Sequence, residues 1–448
     1  MSKSTVVQAS SSVPATAVTP YRRSLPLLGD TLGFLARADR YLMETHQRHG
    51  NVVNVSLFGR RWTMLFGADA NQFVYQNRGE QFTTAIWEFF FGPFFRRGLL
   101  MLDFDEHRLH RSIMAGAFRK EALERYLPLV HERIHAELGA WPGGDAVVAY
   151  PLLKRMTLNV GSEVFLGEPP SPQAARVNHA LIDMVRAPTG LVRKPLPGTR
   201  WRAGAAGRRV MEAYFRELLP RKRAQADGDD LFAQLCRARG EQGEPLSDDD
   251  IINHVILILM AAHDTATSTL ATLLYQLARY PEWQERLRAQ ALAGDARPDY
   301  AALQGMQELN WVMHECMRLC PPLPIDPRGV HKSCEFEGHR LQVGQGVLLS
   351  PWVSHRLPAH WREPDTFDPE RFAPDRAEQR SHPFAFVPFG GGAHKCIGML
   401  FGEMEIKAAM HQLLRRFRWS LLDGYRMETS FLSIPIPKDG LPLDISAL

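Results

Sequence analysis

One long helical run dominates the pattern of apolar and polar positions. It opens at Ser247, places Asp248, Asp249 and Asp250 in its first turn, and continues through Ile251-Ile252 and Val255-Ile256-Leu257-Ile258-Leu259-Met260 to Tyr280, ahead of Pro281. A serine cap followed by acids suits the unpaired N–H groups and positive dipole end of a helix start. Roughly 33 residues at about 1.5 Å each give a rod of about 50 Å. Its middle is apolar all round, which predicts burial on every side. His263-Asp264-Thr265 interrupts that run with polar groups where burial is costly.

A second helical pattern covers Met399 to Phe417, and shorter ones cover Ala36–Arg48 and Asp105–Phe118. From Lys120 to Leu246 the chain reads as successive helices, including Ala174–Val185 and Trp201–Leu219, with few strand signals. Between that pair, Pro188 to Thr199 is too rich in breakers to be helical. Strand patterning is sparse. Asn51–Leu57 and Arg61–Phe66 alternate around Gly59-Arg60 and predict a hairpin, while Cys334–Leu341 and Val347–Pro351 predict the second half of a small sheet. Met427–Leu448 reads as irregular strands, and Ser24–Gly29 as an irregular entry segment. The fold class expected is mainly α with a small β region.

Composition narrows the classes. The chain has 448 residues, 45% apolar and 23% charged, with a net charge of +4; this describes a globular protein with a large core and gives no case for nucleic acid. Five scattered cysteines argue against a disulfide framework and for a reducing compartment. Cys316 and Cys320 lie four apart, yet a zinc reading lacks a second ligand pair. Residues 1–20 have neither the basic start nor the apolar run of a leader or anchor and are expected to form a disordered tail. Elsewhere no charge-free apolar run reaches spanning length. A cytoplasmic protein of bacterial type is the expectation.

The densest chemistry lies at Phe389-Gly390-Gly391-Gly392-Ala393-His394-Lys395-Cys396-Ile397-Gly398, just before the Met399 helix. A cysteine at a helix N-terminus is favoured as thiolate, and consecutive glycines let backbone approach something flat. Inert packing is one reading of Cys396. A phosphate cradle fails, because neither G-x-G-x-x-G nor a Gly-Lys-Ser/Thr loop is present. Haem ligation by the thiolate is the other.

This stretch resembles the haem-binding signature of the cytochrome P-450 family, with Phe389, Gly390, Gly392, Cys396 and Gly398 on its characteristic positions and His394 where arginine is commoner. Further motifs recur in the family's order. Ala261-Ala262-His263-Asp264-Thr265 is similar to the oxygen-activation motif, which implies Asp264 and Thr265 as acid and alcohol of a proton relay; Ala262 stands for the usual glycine and Ala266 for the usual hydroxylated residue. Thr265 bonding back to a carbonyl one turn earlier is the competing reading. Glu315, Arg318 and Arg371 resemble the family's structural Glu-x-x-Arg and arginine triad. His107 and Arg111, four apart, and Arg328 match its propionate-binding cations, with Asp326 a neighbour; a solvated surface is the alternative for the first two.

The resemblance implies a single P-450-fold domain, 21–448, around a buried haem b (iron protoporphyrin IX) held by Cys396, with Phe389, Gly390, His394 and Gly398 beside it. It implies a monooxygenase that inserts one oxygen atom of O2 into a lipophilic molecule by hydroxylation or epoxidation. Isoprenoids, terpenoids and steroids lead, ahead of fatty acids. A haem-thiolate isomerase or dehydratase, a peroxygenase, and a non-catalytic haem carrier or sensor are the rival readings. Phe89, Phe90, Ala261, Ala262, Ile325 and Phe431 are the expected pocket residues, although core packing is an equal reading of the aromatic run at 86–101, which also holds Phe91, Phe94 and Phe95. Leu432 is a further contact expected beside Phe431. Electrons from NAD(P)H would arrive through a ferredoxin or flavodoxin and its reductase, steered by Lys395, Lys407, Arg415 and Arg416 unless these only solubilise the surface. A monomer is expected, with no transmembrane segment. Arg186 to Arg209 holds seven basic residues and no acid. Solvated surface, contact with an anionic membrane, and capture of a carboxylate substrate all account for that run.

Overall fold

The computed structural model describes residues 19–22, 29–169, 171–190, 192–225, 228, 230–239, 243–431 and 434–448. Residues 1–18 of the expected tail, 24–28 of the entry segment and Leu432 lie outside these. The chain opens with α1 (Thr31–Ala36) and α2 (Ala38–His49), then α3 (Ala68–Gln76), α4 (Trp87–Phe91) and α5 (Phe104–Ala115). It continues with α6 (Lys120–Gly139), α7 (Ala149–Leu166), α8 (Pro172–Arg186), α9 (Arg200–Ala224) and α10 (Leu231–Arg237). The second half holds α11 (Asp248–Arg279), α12 (Pro281–Ala293), α13 (Tyr300–Gly305), α14 (Gln307–Leu319), α15 (Pro351–Ser354) and α16 (Met399–Arg416).

The Ser247 hydroxyl caps α11 by accepting the Asp250 N–H at 3.1 Å. This helix is long and apolar enough to cross a membrane, but most of it is buried inside the protein. It packs against α7 and α16, and those two pack against α6, so four helices form the centre of the molecule. The α8–α9 pair lies over α11 as a separate layer. Gly92-Pro93 ends α4 as the sequence requires, and the chain turns before resuming near Leu99.

A five-stranded sheet runs in the order β1 (Val52–Leu57), β2 (Arg60–Leu65), β8 (Gly346–Leu349), β5 (Asp326–Val330), β3 (Phe82–Thr83). Its pairs are antiparallel except β2 with β8. A three-stranded sheet joins β4 (Gly144–Val148), β12 (Pro442–Ala447) and β9 (Phe417–Leu421). Two small ladders remain, β6 (Cys334–Phe336) with β7 (His339–Leu341), and β10 (Thr429–Ser430) with β11 (Ile436–Pro437).

Four elements differ from the pattern read from sequence. The β4 strand falls in a stretch read as helical, because Gly144-Asp145-Ala146-Val147-Val148 is largely exposed and shows no alternation. The β5 strand carries Pro327 and Gly329 yet is buried throughout, so its pairing comes from the sheet around it and not from local propensity. Residues 334–341 form their own ladder instead of joining the main sheet. The helix expected at Ala36–Arg48 forms as α2, and the short α1 ahead of it was not expected.

The Glu-x-x-Arg motif is no surface pair. Arg318 donates to both Glu315 oxygens at 2.7 and 2.8 Å, Arg371 donates to the same carboxylate at 3.1 Å, and all three side chains are fully buried. Arg371 also donates to Glu378 at 2.6 Å, and Arg318 to the carbonyls of His355 and Pro364. Removing one partner of such a set strands a buried charge, at a cost of about 3–5 kcal/mol. Two carboxylates and several carbonyls thus satisfy two guanidinium groups, and α14 is locked to the 364–378 segment.

One buried acid has no such help. Glu405 on α16 is 2% exposed, one of its oxygens has no partner, and burial pushes its carboxyl up to about 8. The folded state therefore holds this proton to higher pH than the unfolded chain, so the stabilising protonation is complete below the ordinary glutamate value and is lost as pH rises through about 8. Glu405→Gln is expected to raise stability by on the order of 3 kcal/mol at pH 7 and to flatten the pH dependence between about pH 5 and 8, read by denaturant titration across that range.

Candidate active site

The loop ahead of α16 is built on backbone contacts. Gly390 and Gly392 adopt positive φ of 67° and 63°, which a side chain would resist. The Cys396 N–H donates to the Phe389 carbonyl at 3.0 Å, and the Gly390 N–H to that of Val387 at 3.0 Å. What the glycines approach is α3. A Cβ on Gly392 would lie 1.8 Å from the Tyr75 carbonyl oxygen, and one on Gly391 3.0 Å from Tyr75 and Phe384. Gly391 and Gly392 therefore seat the loop on Tyr75. Gly398 caps α16, and its N–H acts on the Cys396 sulfur to favour the thiolate.

Cys396 lies deep in the molecule, and yet its side chain is accessible, so it opens onto an internal void. Burial pushes its thiol up, and the Gly398 N–H, Arg111 and Lys395 offset this only in part. The helix dipole expected to favour a thiolate is thus outweighed by desolvation in the bare chain. A bound metal cation would reverse that balance, since a coordinating thiol is deprotonated outright.

The α11 helix also has an accessible face. Ala261 is accessible and Ala262 and Thr265 are partly so, while Leu257–Met260, His263 and Asp264 are buried. Positions 261, 262 and 265 share one helix face. Thr265 donates to the Ala261 carbonyl at 2.7 Å, the back-bonded arrangement. Asp264 faces elsewhere. Its carboxylate takes a hydrogen bond from Lys154 of α7 at 2.9 Å and lies 3.1 Å from His263 Nε2. Burial alone would raise this acid, but His263 and Lys154 hold it well below the ordinary range. Lys154 lies 110 residues away in sequence, and nothing in the local pattern marks it.

Arginines and histidines gather beside the loop. The His107 and His394 rings lie 3.9 Å apart between centroids, and Arg111 is close enough to Cys396 for each to act on the other's charge. Burial, with His394 and Arg111 alongside, pushes His107 down to about 3. Asp103 lies 3.3 Å from His394 Nε2 and also accepts bonds from Thr83 and Thr84. Burial would raise the Asp103 carboxyl, and these bonds hold it at about 2. Arg328 pairs with buried Asp326 and sits 5.8 Å over the Tyr75 ring. The strand pair β3–β5 ties the two groups together, since Gly329 pairs with Thr83. Asp103 and Tyr75 were not singled out from sequence, because His394 and Gly392 lie far along the chain, and Glu378, seven residues from Arg371, belongs to no motif.

The aromatic run divides. Phe94 and Phe95 are fully buried core, which settles those two as packing. Phe90 stacks on Trp62 at 6.0 Å and belongs, with partly buried Ile86, Ile325 and Phe431, to one apolar cluster. Arg60 and Arg193 both approach the Phe89 ring, with guanidinium carbons 4.8 and 4.3 Å from its centroid. The surface cations also divide. Lys407 is 1% exposed and bonds Gln304, so it cannot steer a partner, while Arg415 and Arg416 spend hydrogen bonds on carbonyls of Ala291, Gly294 and His135. Of the four, Lys395 alone is exposed.

A mainly α fold with an accessible cysteine just ahead of its last long helix, backed by a Glu–Arg–Arg lock, points to the haem-thiolate class. The family model for cytochrome P450 matches residues 20–441. A putative cytochrome P450 136 of Mycobacterium tuberculosis is 39% identical over 427 residues, covering 94% of this chain and 86% of that protein. A β-amyrin 28-monooxygenase of Saponaria officinalis is 25% identical over 447 residues, covering 95% and 90%. Among solved structures, cyanobacterial CYP120A1 with retinoic acid bound superposes with a TM-score of 0.89 at 30% identity, covering 96% of this chain and 99% of that one. The chain belongs to the cytochrome P450 family. It is an oxidoreductase, a haem-thiolate monooxygenase of a family that uses haem b, O2 and electrons from NAD(P)H passed on by partner proteins.

The seating of the loop is open to test. Gly392→Ala is expected to yield protein that retains its helical signal but fails to retain haem, because the added methyl group overlaps the Tyr75 carbonyl. Far-ultraviolet dichroism and the haem-to-protein absorbance ratio check both halves.

Proposed function

We propose that Cys396 is the axial ligand of the haem iron and that the substrate is an isoprenoid or a similarly long apolar molecule. The observation that carries the first part is an accessible cysteine set deep in the molecule, next to Arg111 and Gly398 N–H. The rest of the donor set fits. His107, Arg111, His394 and Arg328 would hold the propionates by charge-assisted hydrogen bonds, and Phe389 and Gly390 would flank the ligand loop. When bound, the haem supplies dioxygen activation and oxygen-atom insertion.

The chain's own residues then do three things. Ala261 and Ala262 keep the α11 face low enough for a close approach. Thr265 holds a hydroxyl at that face and would pass protons inward by leaving the Ala261 carbonyl. Asp264, kept as a carboxylate by Lys154 and His263, is the acid that would recharge it once that ion pair opens. Phe90, Ile325 and Phe431 line the apolar approach and exclude water. Support for an isoprenoid comes from the retinoic acid bound to CYP120A1 and the β-amyrin named for the Saponaria officinalis enzyme. An acidic ferredoxin or flavodoxin suits exposed Lys395 with Arg119 and Lys120, which begin α6 beside Phe118 and so close to Gly398.

Turnover with a reductase, O2 and an isoprenoid panel tests this reading. Product carrying one oxygen atom from labelled O2 is expected. Thr265→Ala should keep haem and substrate binding while product per electron falls about tenfold or more and peroxide rises in its place. Full coupling in that variant rules out the relay role.

A further inference from the structure

We propose that Arg193 and Arg60 form a clamp for the carboxylate of the substrate, so that the protein acts on lipophilic acids in preference to their neutral analogues. This rests on the isoprenoid reading above and deepens it. The two guanidinium groups reach Phe89 from different parts of the chain, Arg60 from the start of β2 and Arg193 from the loop between α8 and α9. Arg193 also lies 4.9 Å from the Trp201 ring and donates to the Phe89 carbonyl. Its charge is half-buried, and burial pushes the guanidinium down with no carboxylate to oppose this.

Among the described residues, neither Arg193 nor Arg60 has an acidic partner, whereas Arg208, Arg216, Arg221 and Arg223 of α9 all do. The acid nearest in sequence, Glu88, lies against Gly92 of its own helix and pairs with neither. A half-buried cation without a counter-charge is costly, and an incoming carboxylate would remove that cost by bidentate hydrogen bonding. The position suits an amphipathic ligand. One residue along from Phe89, Phe90 begins the apolar cluster that continues to Ile325 and Phe431, so an apolar body has somewhere to lie while its carboxylate stays at the rim. Exposed Lys194, Arg200 and Arg202, also without acidic partners among the described residues, surround the clamp with positive potential.

The test titrates haem-loaded protein with retinoic acid, its methyl ester and retinol, and reads the shift of the haem absorption band as binding. The acid is expected to bind at least about tenfold more tightly than the ester, with that ratio falling as salt rises. In Arg193→Gln and in Arg60→Gln the ratio should collapse towards one while ester binding is kept. Arg60 is exposed at the start of β2, so its variant folds even should the Arg193 variant prove fragile. Equal binding of acid and ester by the unaltered protein overturns the clamp, as does a preference that survives in both variants. A band that responds to neither acid nor neutral compounds overturns the isoprenoid reading beneath it.

Discussion

A sulfur atom must be carried into the middle of a helical core and left facing open space. Burial opposes that placement, since it disfavours the charged form of the thiol that iron ligation requires. The fold meets this by rigidity. Hydrogen bonds from the Cys396 and Gly390 N–H groups close the loop on itself, and Gly391 and Gly392 wedge it against Tyr75. Gly398 N–H and Arg111 bring partial and full positive charge to the sulfur. Behind the loop, the Glu315–Arg318–Arg371 set fixes α14 to the 364–378 segment, and Val387 N–H bonds His355 at 2.9 Å. Each contact spends buried polar groups to make one backbone conformation the only satisfied one.

Charge is sorted across the same void. Arg111 and Arg328 bring positive charge to one side, where the His107 and His394 rings face each other, and Asp326 and Asp103 hold Arg328 and His394 in place. On α11 the polar trio is split by helix geometry. Thr265 shares the accessible face with Ala261 and Ala262, while Asp264 and His263 turn towards α7 and Lys154. The proton source and the alcohol it would supply are thus neighbours in sequence on different faces of one helix, and rotation of the Asp264 side chain out of its ion pair is the step that would connect them.

Much of this was legible in the residue pattern. The α11 helix, its serine cap, the β1–β2 hairpin and the α16 helix follow from periodicity and capping, because those signals are local. The β4 and β5 strands were not, since one is too exposed to alternate and the other too buried. Partners set by tertiary contact were equally hidden. Lys154 for Asp264, Asp103 for His394 and Glu378 for Arg371 stand far apart or lack any motif. Lys407 misled because charge on a helix reads as surface, and here its neighbours bury it. The glycine run was recognised, but its partner, Tyr75, was visible only in three dimensions.

The bond between Cys396 and iron is the claim on which the others rest, and the absorption of the reduced, carbon monoxide-bound protein tests it most directly. The account predicts a thiolate-type band in the unaltered protein that is lost in Cys396→Ala. A thiolate-type band that persists without Cys396, or a histidine-type band in the unaltered protein, would contradict it.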